Sequence, residues 1–217
     1  MSAQPVTARR TRPATKSRRR SRAAVLRRRL ALGAGLALVV VAVLSLVEPA
    51  DRVVREIKLP LRHEDIIRQQ AADKNVDPTL IAAVIYVESR FRDQTSHAGA
   101  KGLMQLMPET ADYIARKSGG TRFTRADLAT PQINIAYGTW YLRYLFDKYD
   151  GNTVLTLAAY NAGEGKVDQW WREASEKGEK FRVSDHIPFP ETREYVGRVL
   201  SARADYRANY KRELAVE

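Results

Sequence analysis

Glu88 is the residue of this chain whose type and spacing best suit proton transfer. It follows Ile81, Val84 and Ile85 by seven, four and three residues, so a helix would place all of them on one face. A carboxyl group on an apolar face loses hydration, and desolvation raises its pKa towards the range in which it can protonate a leaving oxygen at neutral pH. The alternative is a structural Glu near a helix end, which reaches solvent or pairs with one of the two arginines that follow it.

Two further pairs of residues could hold a ligand beside such a carboxyl group. Tyr160 and Asn161 combine a phenol and an amide just before a glycine, although this string is equally typical of a helix end with a packed Tyr. Glu191 and Tyr195 lie one helical turn apart, so both can face one cleft. A negative Glu191 close to Glu88 would raise the pKa of Glu88 further, whereas a structural Glu191 would complement the helix dipole in a first turn.

These residues belong to four short strings that occur in order along the chain. The strings are ESRF at 88–91, GLMQLMP at 102–108, AYNAG at 159–163 and ETREYV at 191–196. Together they resemble the catalytic domain of the soluble lytic transglycosylases, which have a goose-lysozyme-like fold and cut bacterial cell-wall glycan. The resemblance covers roughly residues 64–206 and implies a mainly α, lysozyme-like helical domain.

The resemblance implies that Glu88 is a single acid and base. In the chemistry of that family, the Glu protonates the β-1,4 glycosidic oxygen between N-acetylmuramic acid and N-acetylglucosamine, and the muramyl acetamido oxygen assists at the anomeric carbon. The same Glu then removes a proton from the C6 hydroxyl, which closes a 1,6-anhydro ring without consuming water. A second catalytic carboxylate is therefore not required, unlike in most glycosidases.

The resemblance also implies a set of substrate-binding residues. Two of them border the sugar sites, one is a serine that bonds the substrate acetamido group or the region of the catalytic carboxyl, and the others line the cleft. These residues are Ser96, Met104, Gln105, Tyr160, Asn161, Glu191 and Tyr195. No metal or cofactor is implied, because the chain has no Cys and its three His residues lack the spacing of metal ligands.

Helices are expected to position these residues. Prolines, capping residues and apolar periodicity predict helices over 63–75, 78–90, 108–117, 131–149 and 152–162, and a long last helix from about residue 191. The last helix should carry Tyr195, Val199, Ala202 and Tyr206 on one side. Period-two alternation is nearly absent, so only a small hairpin or irregular segment is expected between 91 and 104, around a turn bracketed by two glycines.

The net charge of +12 belongs to the amino-terminal arm. Residues 1–29 hold eleven Lys or Arg residues and no acid, which leaves 26 basic and 25 acidic residues elsewhere. The arm cannot bury apolar surface and is expected to be disordered. The rest of the chain is nearly balanced in charge, so the sequence gives little reason to expect a nucleic-acid partner.

Residues 30–47 carry no charge and are apolar apart from Ser45. As a helix they would reach about 27 Å, close to the hydrocarbon thickness of a bilayer. The basic arm before them predicts a cytoplasmic amino terminus, which places the rest of the chain on the periplasmic or cell-wall side of the cytoplasmic membrane. The competing interpretation is a cleaved signal peptide, but LVEPA at 46–50 is a poor cleavage site.

The sequence therefore predicts a basic arm at 1–29, a single transmembrane helix at 30–47, a polar stalk at 48–62 and a catalytic domain at 63–217. The expected function is that of a membrane-anchored lytic transglycosylase, with peptidoglycan strands and the membrane as partners. Two alternatives stay open. One is a lysozyme-like hydrolase in which water attacks the same bond, and the other is a non-catalytic wall-binding or scaffold module that retains the cleft.

Overall fold

The computed structural model describes residues 25–30, 32–36, 38, 39, 41, 56–120 and 122–216, and the chain divides into two compact units, 1–54 and 55–217. In the first unit the described residues are helical. No helix of the described part of the chain has the length and hydropathy needed to cross a bilayer. Most of the basic arm, several positions of the predicted membrane segment and much of the stalk lie outside the described residues, so these three assignments stay predictions.

The second unit is mainly α, as predicted. Its helices are α1 Glu64–Lys74, α2 Pro78–Ser89, α3 Pro108–Ser118, a 3₁₀ helix Arg125–Ala129, α4 Pro131–Lys148, α5 Thr153–Ala162, α6 Glu164–Glu176, α7 Val183–His186 and α8 Pro190–Asn209. Within the described ranges, extended backbone pairs only as isolated bridges, Thr95 with Lys101 and Lys101 with Leu106. The expected hairpin segment between 91 and 104 is therefore confirmed, together with all six predicted helices.

Local signals explain where the helices begin. A proline occupies the first turn of α2, α3, α4 and α8. The Asp77 carboxylate accepts a hydrogen bond from the Thr79 amide at 2.8 Å, and the Asn152 side chain accepts from the amides of Val154 and Leu155 at 3.0 and 3.2 Å. Asp77 and Asn152 are therefore the side-chain N-caps of α2 and α5.

The sequence did not predict α6. Gly163 ends α5 with a φ of 89° and is also the residue from which α6 starts, so no loop separates the two helices. A glycine at this position was interpreted only as a helix end. Spacings of three and four residues bring Val167, Trp170 and Ala174 onto the buried face of α6, and this periodicity was the available signal.

Helix α2 lies at the centre of the core. Residues 80–85 are all fully buried, and α2 packs mainly against α8, which also contacts α5. The predicted inner face of α8 is buried along its whole length, at Tyr195, Val199, Ala202 and Tyr206. The carboxyl-terminal end of α2 is therefore held against α8 by packing on both helices.

Asp77 ties the start of α2 to the far end of α8. Its carboxylate accepts hydrogen bonds from Nε and Nη2 of Arg203 at 2.9 and 2.6 Å and from Nη2 of Arg207 at 3.0 Å. The same side chain caps α2 through the amide and hydroxyl of Thr79. One partly buried carboxylate thus joins a helix cap and an ion pair between two helices.

We expect Asp77→Ala to lower the free energy of unfolding by about 2 kcal/mol, because it removes an N-cap and leaves two arginines without their partner. Asp147→Ala is the matched control, since Asp147 is an exposed partner of Arg143 on the same helix and should change stability by less than about 0.5 kcal/mol. Urea denaturation of the two variants measures the difference. Equal losses of stability would show that the contacts of Asp77 between α2 and α8 contribute no more than an exposed ion pair.

Candidate active site

Glu88 lies in the last turn of α2 and is half-buried. The three aliphatic side chains that precede it on the same face are fully buried, as predicted. Burial raises the pKa of Glu88 from 4.5 to about 7, against the opposing effects of the Tyr195 hydroxyl and the Arg198 charge. A carboxyl group with this pKa holds a proton in a large share of molecules at neutral pH and can donate it.

Two tyrosine hydroxyls, from α5 and α8, lie in the neighbourhood of Glu88. Burial raises the pKa of both Tyr160 and Tyr195, and the nearby charge of Glu88 raises both further. The Tyr160 hydroxyl donates to the Met104 carbonyl at 2.9 Å. The buried Tyr195 hydroxyl completes no hydrogen bond with any described residue, although it lies close enough to Glu88 to lower the pKa of that carboxyl. The Tyr195 hydroxyl is therefore free to donate a hydrogen bond to Glu88 when Glu88 loses its proton.

The GLMQLMP string forms a loop that is held beside Glu88 from several sides. The Ser89 hydroxyl donates to the Leu103 carbonyl at 2.7 Å. The Asn134 side chain accepts from the Met104 amide at 2.8 Å and donates to the carbonyls of Lys101 and Leu128 at 2.9 and 3.0 Å. Ser89 and Asn134 hold the backbone of the loop, and the Gln105 amide nitrogen, which donates to the carbonyls of Gln94 and Gly102 at 3.0 and 2.7 Å, adds a side-chain contact from within it.

Met104 differs from what the resemblance implies. Its side chain is fully buried, and it occupies space that only a glycine at position 138 leaves open, because a Cβ there would lie 2.3 Å from the Met104 sulfur. The side chain of Met104 therefore belongs to the core and does not border an open groove. Its contribution to the site is the carbonyl that accepts the Tyr160 hydroxyl.

A hollow of about 250 Å³ opens next to Tyr160. It is lined by Gln105, Leu106, Met107, Thr110, Tyr141, Tyr160, Asn161, Ala162 and Gly163. The predicted residues Gln105, Tyr160 and Asn161 are thus brought together in the lining of one hollow. The Asn161 carbonyl oxygen accepts from the Thr192 hydroxyl at 2.8 Å, which fixes the amide and leaves its nitrogen to donate.

Ser96 and Glu191 are not part of this hollow. The Ser96 hydroxyl accepts from the Ala100 amide at 3.0 Å within its own turn. Glu191 is exposed in the first turn of α8, and it is not among the groups that shift the pKa of Glu88, which burial raises. Sequence analysis missed Arg198, whose signal was its place one turn after Tyr195 on the same face of α8.

Comparison with known proteins identifies the domain. The transglycosylase SLT domain family matches residues 65–182, more than half of the chain. The soluble lytic murein transglycosylase of Escherichia coli K12 is 33% identical over 154 residues, which are 70% of this chain and 24% of the relative. The membrane-bound lytic murein transglycosylase C of Actinobacillus pleuropneumoniae is 40% identical over 112 residues, which are 47% of this chain and 31% of the relative.

A solved structure gives the same result for the fold. The lytic transglycosylase Slt of Pseudomonas aeruginosa, studied as an inactive mutant with Gln in place of a Glu, superposes with a TM-score of 0.63 at 36% identity, over 71% of this chain and 25% of that protein. The chain spans about a quarter to a third of the length of these relatives. Family match, sequence identity and shared fold agree, and the chain belongs to the transglycosylase SLT domain family.

Proposed function

We propose that this chain is a peptidoglycan lytic transglycosylase in which Glu88 is the single acid and base. The observation that carries the proposal is a carboxyl group whose pKa burial raises to about 7, with two tyrosine hydroxyls in its neighbourhood, one of which, that of Tyr160, belongs to a residue that lines a hollow. Two relatives named lytic murein transglycosylases and an inactive Glu-to-Gln mutant of a third support the same chemistry.

In the first step, protonated Glu88 donates its proton to the glycosidic oxygen between N-acetylmuramic acid and N-acetylglucosamine. The C1–O bond breaks, and the muramyl acetamido oxygen attacks C1 to form an oxazolinium ion. Glu88 becomes a carboxylate in a desolvated place, where its charge is costly. The buried Tyr195 hydroxyl then gains a hydrogen-bond acceptor, which stabilises the charge that forms.

In the second step, the Glu88 carboxylate removes the proton of the C6 hydroxyl of the same sugar. The C6 oxygen attacks C1, the acetamido oxygen leaves, and a 1,6-anhydro ring closes. Glu88 is protonated again at the end of the cycle, so one carboxyl group serves both steps. The raised pKa suits both roles, because the proton is available in the first step and is taken back readily in the second.

The hollow beside Tyr160 is the proposed sugar-binding wall. The Asn161 amide nitrogen can donate to sugar hydroxyl and acetamido groups, and the Gln105 side-chain oxygen can accept from them, since the Gln105 amide nitrogen already donates to the carbonyls of Gln94 and Gly102. The Tyr141 and Tyr160 rings offer apolar faces. Ser96 and Glu191 do not line this hollow, and Glu191 is exposed at the start of α8. Both stay predicted substrate contacts.

Digestion of purified peptidoglycan sacculi by the full chain tests the proposed activity. A transglycosylase releases soluble muropeptides with time, in proportion to enzyme concentration. A wall-binding module would sediment with the sacculi and release nothing above the buffer control. The absence of release under conditions in which the chain is folded would contradict the proposal.

The pH dependence of cleavage follows from the pKa of Glu88. The free enzyme must hold the proton, so kcat/KM should be constant well below pH 7 and should fall about tenfold per pH unit above about 7. Tyr195→Phe removes a hydroxyl that lowers the pKa of Glu88, so it should move this fall to higher pH. Tyr206→Phe is the control, because that hydroxyl on the same helix donates to the Pro60 carbonyl and should leave the pH profile in place. Equal profiles for all three proteins would show that Tyr195 does not act on the pKa of Glu88, and a wild-type profile without a fall near pH 7 would contradict Glu88 as the proton donor.

We also propose that residues 30–47 anchor the chain in the cytoplasmic membrane, with the catalytic domain outside the cytoplasm. The support is the uncharged apolar sequence after a basic arm, the helical backbone of the described residues there and a relative named as membrane-bound. The full chain should stay with membranes after a carbonate wash, whereas a chain beginning at residue 56 should not. A mature amino terminus found beyond residue 47 would contradict the anchor.

A further inference from the structure

A group of polar side chains joins the end of α4 to the start of α6. The Lys148 ammonium group donates to Glu164 Oε2 at 3.0 Å and to Asp168 Oδ2 at 2.7 Å. The Tyr144 hydroxyl donates to Glu164 at 3.1 Å, and the Tyr149 hydroxyl donates to Asp168 at 2.9 Å. Each carboxylate therefore accepts from Lys148 and from one tyrosine. We call these five residues the lysine network, and the proposed mechanism does not use them.

Lys148 offsets a repulsion within α6. Glu164 and Asp168 are four residues apart on that helix, so their like charges lie on one face of it. Both carboxylates and Lys148 are partly buried. A single exposed ion pair contributes little, whereas several charged and hydroxyl groups that bond to one another hold two helices in one arrangement. The lysine network therefore fixes the start of α6 against the end of α4.

The start of α6 adjoins the proposed sugar-binding wall. Residues 161–163 line that hollow, and α6 begins at the next residue, Glu164, without a loop. Gly163 has a φ of 89°, and no atom lies within 4 Å of the position of an added Cβ, so nothing packs against this side of the corner. The corner is instead held from its two ends, by the bond from Thr192 to Asn161 and by the lysine network at Glu164.

The lysine network also reaches the sugar-binding wall through aromatic rings. The Tyr144 ring stacks on the Tyr141 ring, with 6.1 Å between their centres and 11° between their planes. The Tyr141 ring lies 5.7 Å from the Tyr160 ring, and both of these residues line the hollow. A shift of Glu164 would therefore move the Tyr144 hydroxyl that is bonded to it, and with it the ring on which Tyr141 stacks.

We propose that Lys148 is a positioning residue for glycan cleavage, which holds Glu164 and through it the corner at 161–163 in the shape that binds the strand. In this role Lys148 contacts neither the sugar nor Glu88. Loss of the lysine network should weaken glycan binding and leave the proton transfer by Glu88 unchanged. The inference rests on the proposed transglycosylase function and adds a residue on which its substrate affinity depends.

Kinetics on soluble glycan strands separate positioning from stability. Lys148→Met should raise KM about fivefold and leave both kcat and the pH dependence of kcat in place. A variant that is merely less folded would instead lose kcat in proportion to its unfolded fraction and keep its KM. Lys148→Arg should return KM to within twofold of wild type, because a guanidinium group can bond both carboxylates.

Arg143→Met is the matched control. Arg143 lies on the same helix and bonds the Asp147 carboxylate and the Asn75 carbonyl, and none of these three residues lines the hollow. Its loss also removes a cation from α4 but should leave KM unchanged. A rise in KM equal to that of Lys148→Met would overturn the inference.

A double-mutant cycle tests whether Lys148 acts through Glu164. Glu164→Gln should also raise KM, which keeps the inference testable if Lys148→Met does not fold. The double variant should be no worse than the worse single variant, because both substitutions break one contact. Effects on KM that multiply, an unchanged KM in both single variants, or a loss of kcat alone would each overturn the inference. If wild type cleaves no glycan, the proposed function itself fails, which is a different outcome.

Discussion

Glu88→Gln is expected to reduce glycan cleavage by a factor of at least about 10³, because general acid and general base catalysis are each worth 10²–10⁴ and one side chain supplies both. A glutamine amide has the shape of the carboxyl group but neither donates an acidic proton to the glycosidic oxygen nor accepts one from the C6 hydroxyl. Release of muropeptides from sacculi under single-turnover conditions measures the loss. Binding to the sacculi should be retained, since the walls of the hollow are unchanged.

Glu194→Gln is the matched control for this variant. Glu194 is exposed on α8, one residue before Tyr195, and it is not among the groups that affect the pKa of Glu88. This second substitution removes one carboxylate near the site and should leave the rate within twofold, a change of about 0.4 kcal/mol at most. If Glu88→Gln kept a tenth or more of the wild-type rate, Glu88 would not be the acid.

Glu88→Gln should be more stable than wild type at high pH. This result would also show that the variant loses activity without losing its fold. The pKa of Glu88 is about 7 when folded, above its ordinary value of 4.5, so the folded state binds the proton more tightly. The stabilisation from that proton is fully present below pH 4.5 and is lost as the pH rises through 7. Thermal unfolding should therefore give Glu88→Gln a higher Tm than wild type at pH 8 but not at pH 4.

Gly102→Ala is expected to cause the second large effect, a loss of about 3 kcal/mol in the free energy of unfolding together with most of the activity. Gly102 has a φ of 77°, and a Cβ there would lie 2.1 Å from Nδ2 of Asn134 and 2.6 Å from the Leu128 carbonyl oxygen. Asn134 would have to move, and with it the loop that carries the Met104 carbonyl. Urea denaturation and the sacculus assay measure the two consequences.

Gly151→Ala separates backbone strain from the steric clash. Gly151 has nearly the same φ, 76°, but no atom lies within 4 Å of the position of an added Cβ. It should lose only the strain energy of a left-handed residue, about 1–2 kcal/mol, and should keep its activity. Equal losses in the two variants would show that the fit of the loop around Asn134 is not required for the site.

The sequence was sufficient for features that depend on local rules. Asp77 and the proline after it define the start of α2, and the spacing of aliphatic residues along α2 predicted the desolvated environment of Glu88. The inner face of α8 followed from helical periodicity in the same way. These features require only a helix and one apolar neighbour, so a short window of sequence contains them.

Features that depend on three-dimensional fit could not be predicted in this way. Whether the Met104 side chain enters the core depends on Gly138, which lies 34 positions away and leaves space for it. That Glu191 is exposed at the start of α8, and is not among the groups that shift the pKa of Glu88, depends on how α8 lies against α2. Both questions concern direction and distance between separate helices, which residue types and spacing do not specify.

Digestion of sacculi in water enriched in ¹⁸O tests most directly whether one carboxyl group completes the reaction without water. If Glu88 passes its proton between the glycosidic oxygen and the C6 hydroxyl, the muramyl ends are 1,6-anhydro sugars, one water lighter than reducing ends and free of ¹⁸O by mass spectrometry. Reducing muramyl ends that carry ¹⁸O at C1 would show that water attacks, and they would contradict the transglycosylase mechanism in favour of a hydrolase.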